Sequence, residues 1–308
     1  MDNLPAVDIV TVSYNSAKHF PRYLRALRRQ IYPPRLLRLI VVDNASPDAS
    51  ADAIEEWMRD LPFASELLRS RENLGFGGGC NRGAEHGTAP YILFLNPDTE
   101  VAPEMLARLV ERAVAELAVG LVDAAQEPIE IPKWRDAGSN YTDWCSGAAV
   151  LASRRAFEEV GRFDRFFHPA YCEDVDLSWR MWLAGWKCVH EPSARFVHHT
   201  GETLKPAEIR YATRYSFAMH CVYDSLGGAI RHLIRGLRYA LSPRSEALRR
   251  QGAWEGLWTV LISARYLSSR RRQVQARLRR SSERVRFVFT EWDYGRWMTA
   301  PAAEACDA

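Results

Sequence analysis

Apolar and polar positions follow two periods over the first two hundred residues and then settle into one. VDIVTVSYN (7–15) is a short β-rich run ending in polar residues, and Phe20, Leu24 and Leu27 follow at helical spacings. LLRLIVVDNAS (36–46) predicts a second strand ending at Asp43-Asn44, after which Asp48 or Ser50 caps a helix through Ile54 and Trp57. SELLRSRENLGFGGGCNRGAEHG predicts a third strand, a glycine-rich turn and a helix, and YILFL (91–95) a fourth strand. The acidic, proline-punctuated AAQEPIEIPKWRDAG (124–138) reads as a loop. SGAAVLASRRAFEEVGRFD (146–164) reads as strand, helix and glycine stop. CEDVDLSWRMWLAGWKC (172–188) predicts a helix with Val175, Trp179, Trp182 and Leu183 on one face, and ARFVHHTG (194–201) a last strand.

Strands alternating with helices imply right-handed crossovers and an α/β fold with a mostly parallel sheet. Ligands of such sheets bind beyond the carboxyl ends of the strands. Four strand ends here carry polar clusters: Tyr14-Asn15, Asp43-Asn44, Asn73 to Asn81, and Asn96 to Asp98. Past residue 205 only the helical period remains. Met219, Val222, Leu226, Ile230, Leu233, Leu237 and Leu241 form one stripe with Arg231, Arg235 and Arg238 interspersed, and Trp254, Leu257, Trp258, Leu261 and Ile262 form a second. The chain thus divides into 1–204 and a helical region, 205–308.

Charge sharpens that division. Of the 308 residues, 1–204 hold 22 Lys+Arg against 29 Asp+Glu, and 205–308 hold 19 against 9, so an acidic front precedes a basic tail. Eight arginines fall between 270 and 286. The six scattered cysteines form no C-x-x-C pair, which argues against a zinc ribbon or disulfide framework and fits a reducing compartment. MDNLPAVDIV has no basic n-region followed by an apolar core, so no signal peptide is expected. With no run of eighteen apolar residues, no bilayer-spanning helix is expected either.

The candidate chemistry sits in the strand-end clusters. Asp98, in a turn just past an apolar strand, offers the oxygen that a hard divalent cation takes alongside substrate phosphates. Asn-Pro-Asp is equally an ordinary turn with a helix cap. Asp43-Asn44 has two readings, contact with a base or ribose and capping of the next helix. NLGFGGGCNRG suits backbone approach to a ligand, but is neither a P-loop nor a dinucleotide fingerprint. Glu173-Asp174 at a helix start is either favourable charge at the dipole or a general base aimed into a cleft. His198 and His199 alternate to opposite faces, so one of them at most reaches the site.

As a set, VTVSYN (10–15), VVDNASPDAS (41–50), ENLGFGGGCNRG (72–83), FLNPDTE (94–100), SGAAVLASRRAFEEVGRFDRFF (146–167), CEDVDLSWRMWLAGWK (172–187) and ARFVHHTG (194–201) resemble the family 2 glycosyltransferases of GT-A fold. The resemblance is greater to the branch that includes rhamnosyltransferases, and it covers about the first two-thirds of the chain. It implies a GT-A nucleotide-diphospho-sugar transferase domain over 1–204, with a nucleotide-sugar half (about 1–100) and an acceptor half (about 101–204). It also implies inverting transfer from a nucleotide sugar to an acceptor hydroxyl, with rhamnose from a dTDP donor suggested by the branch. Thr11, Tyr14, Asn15, Asp43 and Asn44 would hold the nucleoside, with Asn73, Gly75, Asn81 and Asn96 lining the same cleft. Asp98 matches the metal aspartate of an Asp-x-Asp motif whose first position is here Asn96, a departure that removes one carboxylate. Asp174 matches the catalytic base and Glu173 its neighbour. His198 fits the strand-end histidine as a further ligand of Mg²⁺ or Mn²⁺, or His199 if the register differs by one.

The implied partners are a nucleotide-diphosphate sugar donor and a glycan or lipid-linked glycan acceptor. The basic tail has two readings, helices packed with a solvated basic face and contact with an anionic membrane surface. Nucleic acid is disfavoured, since no recognised motif accompanies the charge. The expected location is cytoplasmic, with peripheral contact at the inner face of the membrane as the variant. A rival reading is a catalytically silent nucleotide-sugar-binding module acting through its tail. A sugar-phosphate nucleotidyltransferase would show a glycine-rich, basic loop after its first strand, and VTVSYNS has none.

Overall fold

The computed structural model describes residues 4–130, 133–199, 206–243 and 246–279. The expectations at residues 1–3, at Thr200-Gly201 and at Arg280, Arg284 and Arg286 lie outside them. The chain forms two compact units divided between residues 200 and 201.

The first unit is built on one eight-stranded sheet. Its strands are β1 (Val7–Ser13), β2 (Leu37–Asp43), β3 (Ala64–Arg69), β4 (Tyr91–Leu95), β5 (Thr99–Val101), β6 (Val119–Glu127), β7 (Ala149–Ser153) and β8 (Lys187–His198), in the order β3-β2-β1-β4-β7-β6-β8-β5. Against it lie α1 (Phe20–Arg28), α2 (Ser50–Met58), α3 (Gly75–His86), α4 (Met105–Ala115), α5 (Arg154–Glu159) and α6 (Glu173–Ala184). β1, β2 and β4 carry continuous buried runs, such as Leu39 to Val42 and Ile92 to Leu95, as strands covered on both faces must.

Direction decides where a site can form. β2 and β4 pair parallel to β1, and β3 parallel to β2. β7 runs antiparallel to both β4 and β6, β8 parallel to β6, and β5 antiparallel to β8. Six strands therefore run one way, and their carboxyl ends share one edge with the start of β7. The connection from β4 to β5 is only Asn96 to Asp98, although four strand steps separate them in the sheet order. Four Cα steps reach about 15 Å at most, while four strand spacings of a flat sheet need roughly 19 Å. The sheet must curl, and β8 carries the curl through a register break against β6 between Ala124 and Ala125.

Three expectations change. The segment taken as a loop from 124 holds the end of β6, whose first six residues are buried, so no polar alternation betrays the strand. The glycine-rich stretch is not a turn but the body of α3. Gly79 and Gly83, one turn apart, face Val12 and Val10 of β1, and a Cβ at Gly83 would lie 2.4 Å from a Val10 methyl. Those two glycines set how closely α3 lies on the sheet. Lastly, the single apolar stripe from Met219 to Leu241 belongs to two helices.

The second unit, described by itself, contains α7 (Pro206–Tyr223), α8 (Leu226–Leu241), α9 (Ala247–Ile262) and α10 (Ala264–Leu278). The break between α7 and α8 falls where Ser225 caps the Gly228 amide at 3.0 Å. The Phe217 ring of α7 lies between Gly236 of α8 and Gly256 of α9, where a Cβ would approach it to 2.1 and 2.3 Å. Among the described residues, no helix is long and apolar enough to cross a membrane.

Gly83→Ala is expected to force α3 off β1 and cost about 1–3 kcal/mol, read as a lowered Tm in thermal unfolding. Gly138→Ala, whose nearest atom is 3.7 Å away, is the control and should leave Tm unchanged.

Candidate functional site

The corner after β4 places the first carboxylate. Asn96 N–H donates to Ala148 O at 2.9 Å, and Asn96 O accepts from the Thr99 hydroxyl at 2.7 Å, so both sides of Pro97 are pinned. β5 then pairs Thr99 with His198, and His199 N–H donates to Asp98 O at 2.9 Å. That register brings His198 Nε2 to 3.2 Å from Asp98 Oδ1, while Nδ1 meets Gln126 Oε1 at 2.9 Å. Burial works to raise the Asp98 carboxyl, but the hydrogen bond and charge of His198 hold it below the ordinary carboxylate range. His199 turns to the other face, onto Glu100 at 3.2 Å.

Both ring nitrogens of His198 face oxygen atoms, whereas a neutral imidazole donates through only one. With Nδ1–H given to Gln126, the Nε2 lone pair points at a carboxylate, an arrangement that a metal cation held between the two would satisfy. One carboxylate and one imidazole are donors that Mn²⁺ accepts, and Mg²⁺ sites often draw on one or two carboxylates plus substrate phosphates. The residues present therefore fit a divalent cation, although among the described residues no group of three His, Cys, Asp or Glu side chains forms a cage.

The second carboxylate sits at the start of α6. Asp174 Oδ2 accepts from Gly147 N–H at 3.1 Å and Oδ1 from Val175 N–H at 2.8 Å. Burial pushes this carboxyl above the ordinary range, against those amides and the charge of Lys133. Gly147 sits close to an aromatic neighbour: a Cβ there would come within 3.1 Å of the Phe76 ring. The preceding amide, Ser146 N–H, donates to Asp123 Oδ2 at 3.0 Å. Asp123 is fully buried between Lys133 and His190, and they hold it ionised despite its burial. Two carboxylates thus grip two successive amides in front of β7.

At the end of β2, Asp43 Oδ2 accepts from Ser46 N–H at 3.2 Å. Its buried Oδ1 has no hydrogen-bond partner among the described residues. A buried acceptor left open at the ligand edge of a parallel sheet suits a donor brought by a ligand.

The sequence of residues 8–163 matches the family model described as glycosyl transferase family 2. The chain belongs to glycosyl transferase family 2. An N-acetylglucosaminyl-diphospho-decaprenol L-rhamnosyltransferase of Mycobacterium tuberculosis is 28% identical over 238 residues, which span 62% of this chain and 75% of that protein. The succinoglycan biosynthesis protein ExoO of Rhizobium meliloti is 25% identical over 316 residues, covering 92% of this chain and 89% of its own. The mannosyltransferase PcManGT of Pyrobaculum calidifontis, solved with GDP-Man and Mn²⁺, superposes with a TM-score of 0.61 at 17% identity, over 99% of this chain and 86% of that one. The fold is accordingly that of the GT-A glycosyltransferases, and this family 2 member is a glycosyltransferase with a nucleotide-sugar donor.

The transferase distributes its remaining expected residues unevenly. Tyr14 and Asn15 are exposed just past β1, Asn15 with φ 50° and its amide on Ser46 Oγ at 3.0 Å. Thr11 is fully buried and bonded to the Tyr23 hydroxyl. The Asn44 amide is spent bracing the next segment: it meets Asn73 Oδ1 at 3.0 Å, Gly75 O at 3.0 Å and Leu74 N at 2.9 Å. Asn81 is likewise committed, with both amide ends on the Phe163 backbone at 2.8 and 3.0 Å. Gly75 (φ +71°) starts α3 against Pro169 O, where a Cβ would clash at 2.7 Å. Glu173 is turned inward towards Gly77 and Cys80 rather than alongside Asp174. Burial, then the charge of Asp174, raises it far above the carboxylate range, and its Oε2 has no hydrogen-bond partner among the described residues.

Sequence reasoning missed Gln126, Asp123, Lys133 and Gly147. The first three lie where a loop is expected, or at its margin. An aspartate inside VGLVDAA was the available signal, because a carboxylate within an apolar strand demands a partner. Asp143 was missed too, and burial pushes it up to about 7 against the charge of Lys133.

Glu173 yields a pH prediction. Its folded pKa lies above the unfolded value of about 4.3, so its stabilising contribution is complete below that pH. The contribution is lost as pH rises towards the folded value, at about 1.4 kcal/mol per unit. Glu173→Gln carries no such proton, so its Tm relative to the native chain should climb from pH 5 to pH 8. Parallel Tm profiles would contradict a neutral Glu173.

Proposed function

We propose that the chain is an inverting, divalent-cation-dependent glycosyltransferase that moves rhamnose from a dTDP donor to a hydroxyl of a glycan or lipid-linked glycan. The observation that carries this reading is the common edge. The carboxyl ends of β2, β4 and β8 bring Asp43, Asp98 and His198 to the rim where Gly147 ties Asp174.

In this reading Asp43 Oδ1 accepts a ring N–H of the nucleoside, and Tyr14 and Asn15 flank it from β1. Asn44 and Asn73 act at one remove, holding the turn that opens α3. Asp98 and His198 would hold a divalent cation, which would supply positive charge to the departing diphosphate. Asp174 accepts the proton of the acceptor hydroxyl as that oxygen attacks the anomeric carbon from the face opposite the diphosphate. One displacement inverts the centre, and no covalent sugar–enzyme bond forms. Glu173 serves as a buried neutral neighbour and not as a second base. The half from 1 to about 100 would bind the donor, and the half from about 101 to 204 the acceptor. The rhamnosyltransferase and ExoO similarities support sugar transfer to an envelope or extracellular glycan. A lipid-linked acceptor also calls for a membrane-facing part of the chain.

Calorimetric titration with dTDP-rhamnose, UDP-sugars and GDP-sugars, with and without Mn²⁺, tests the donor. Tightest binding of the dTDP sugar, dependent on metal and lost in Asp98→Ala, is expected. Asp174→Asn should keep donor binding and lower kcat by roughly 10²–10⁴; unchanged transfer would remove Asp174 from the mechanism. Because Asp174 must be ionised to act, kcat/KM should rise with pH and level off. Its acidic midpoint should lie above the ordinary aspartate value of about 3.9, and Lys133→Met should move it higher.

A further inference from the structure

The second unit carries an exposed apolar face to which the transferase reading assigns no residue. On α8, Leu226, Ile230, Ile234, Leu237 and Leu241 are each between 43% and 67% exposed. At about 100° per residue they fall within a single arc of roughly 80°. The next arc on one side holds Arg231, Arg235 and Arg238, all exposed. The arc on the other side holds Leu233, Gly236 and Ala240, which pack inside the unit. α9 repeats the pattern with Trp254, Trp258, Leu261 and Ile262, between 47% and 66% exposed.

The two stripes belong to one surface. Gly252, Gly256 and Thr259 of α9 face α7, through Thr213, Phe217 and Arg214. Ala253 and Leu257, about a quarter-turn further round, join the cluster that holds Ala240 and Leu233 of α8. On each helix, a further quarter-turn in the same sense reaches the exposed stripe. Both stripes therefore lie over the α8–α9 seam, on the side away from α7.

The chemistry beside the stripes selects an occupant. From 226 to 279 the sequence holds twelve arginines and only two acidic residues, Glu246 and Glu255. Both are engaged, Glu246 with Arg249 at 3.1 Å and Glu255 with Arg210 at 2.7 Å. A second copy seated through a two-fold would set arginine rows against each other with no carboxylate between them. An anionic bilayer offers phosphates to the row and an apolar layer to the stripe, and tryptophan favours that boundary.

We propose that the α8–α9 face is a docking surface for anionic phospholipid membranes. The apolar seam enters the boundary between headgroups and acyl chains, and Arg231, Arg235 and Arg238 lie at phosphate level. The inference goes beyond the transferase reading and depends on neither the donor nor the metal.

The test is co-sedimentation of the full chain with vesicles of phosphatidylcholine, with or without phosphatidylglycerol, in the absence of nucleotide sugar. Partition onto the anionic vesicles alone, weakening as salt rises, is expected. The Arg231→Gln/Arg235→Gln/Arg238→Gln variant should partition about 100-fold more weakly. Trp254→Ser/Trp258→Ser should weaken partition and abolish the lipid-induced blue shift of tryptophan emission. Circular dichroism and donor calorimetry should be unchanged in both, so failure here leaves the transferase reading intact. Equal partition onto neutral vesicles, or no loss in either variant, overturns the proposal. So does sedimentation-velocity self-association that the tryptophan variant removes while vesicle binding persists, which would give the face to a second copy.

Discussion

A three-residue corner governs the geometry of the site. Asn96 to Asp98 must join a central strand to one at the far end of the sheet order, and only a curled sheet closes that distance. The curl brings β5 against β8 in the register that sets His198 on Asp98. Separately, the start of β7 enters at the same edge because β7 alone runs against β4 and β6 there. Asp98, His198 and Asp174 therefore share a rim for topological reasons, before any side-chain chemistry is considered.

Burial is the second constraint, and neighbours decide its outcome at each carboxyl. Asp123 has Lys133 and His190 and stays ionised. Glu173 has only backbone help and the repulsion of Asp174, so its proton stays on. Asp174 lies between these cases, raised by burial and restrained by two amides. A general base gains from such a raised basicity. Adjacent residues at the start of one helix are thus shifted to different extents by their surroundings.

Much of the fold was legible because β1, β2 and β4 are apolar runs that end in polar residues, and because α6 opens on acidic residues and carries an apolar face of helical period. β5 was not, since three residues carry no periodicity. β6 was misread because its buried half does not alternate and Pro128 follows it at once. Positions at strand ends and a helix start, together with the family resemblance, brought Asp98, His198 and Asp174 forward as candidates, and the structure sets His198 on Asp98 and Gly147 on Asp174. Thr11, Asn44 and Asn81 carry the right chemistry in the right motifs, yet hydrogen bonds to Tyr23, to the Asn73–Gly75 turn and to Phe163 occupy them. No linear pattern announces these internal hydrogen bonds.

Five of the twelve residues of α3 are glycines. At about 1 kcal/mol each relative to alanine, this segment would not stay helical alone. It is a helix because β1 receives its bare face, and losing that contact would release α3 and the Asn73–Gly75 turn together. The amides of α3 and of that turn would therefore exchange hydrogen sooner than those of β1 and β2 beneath them.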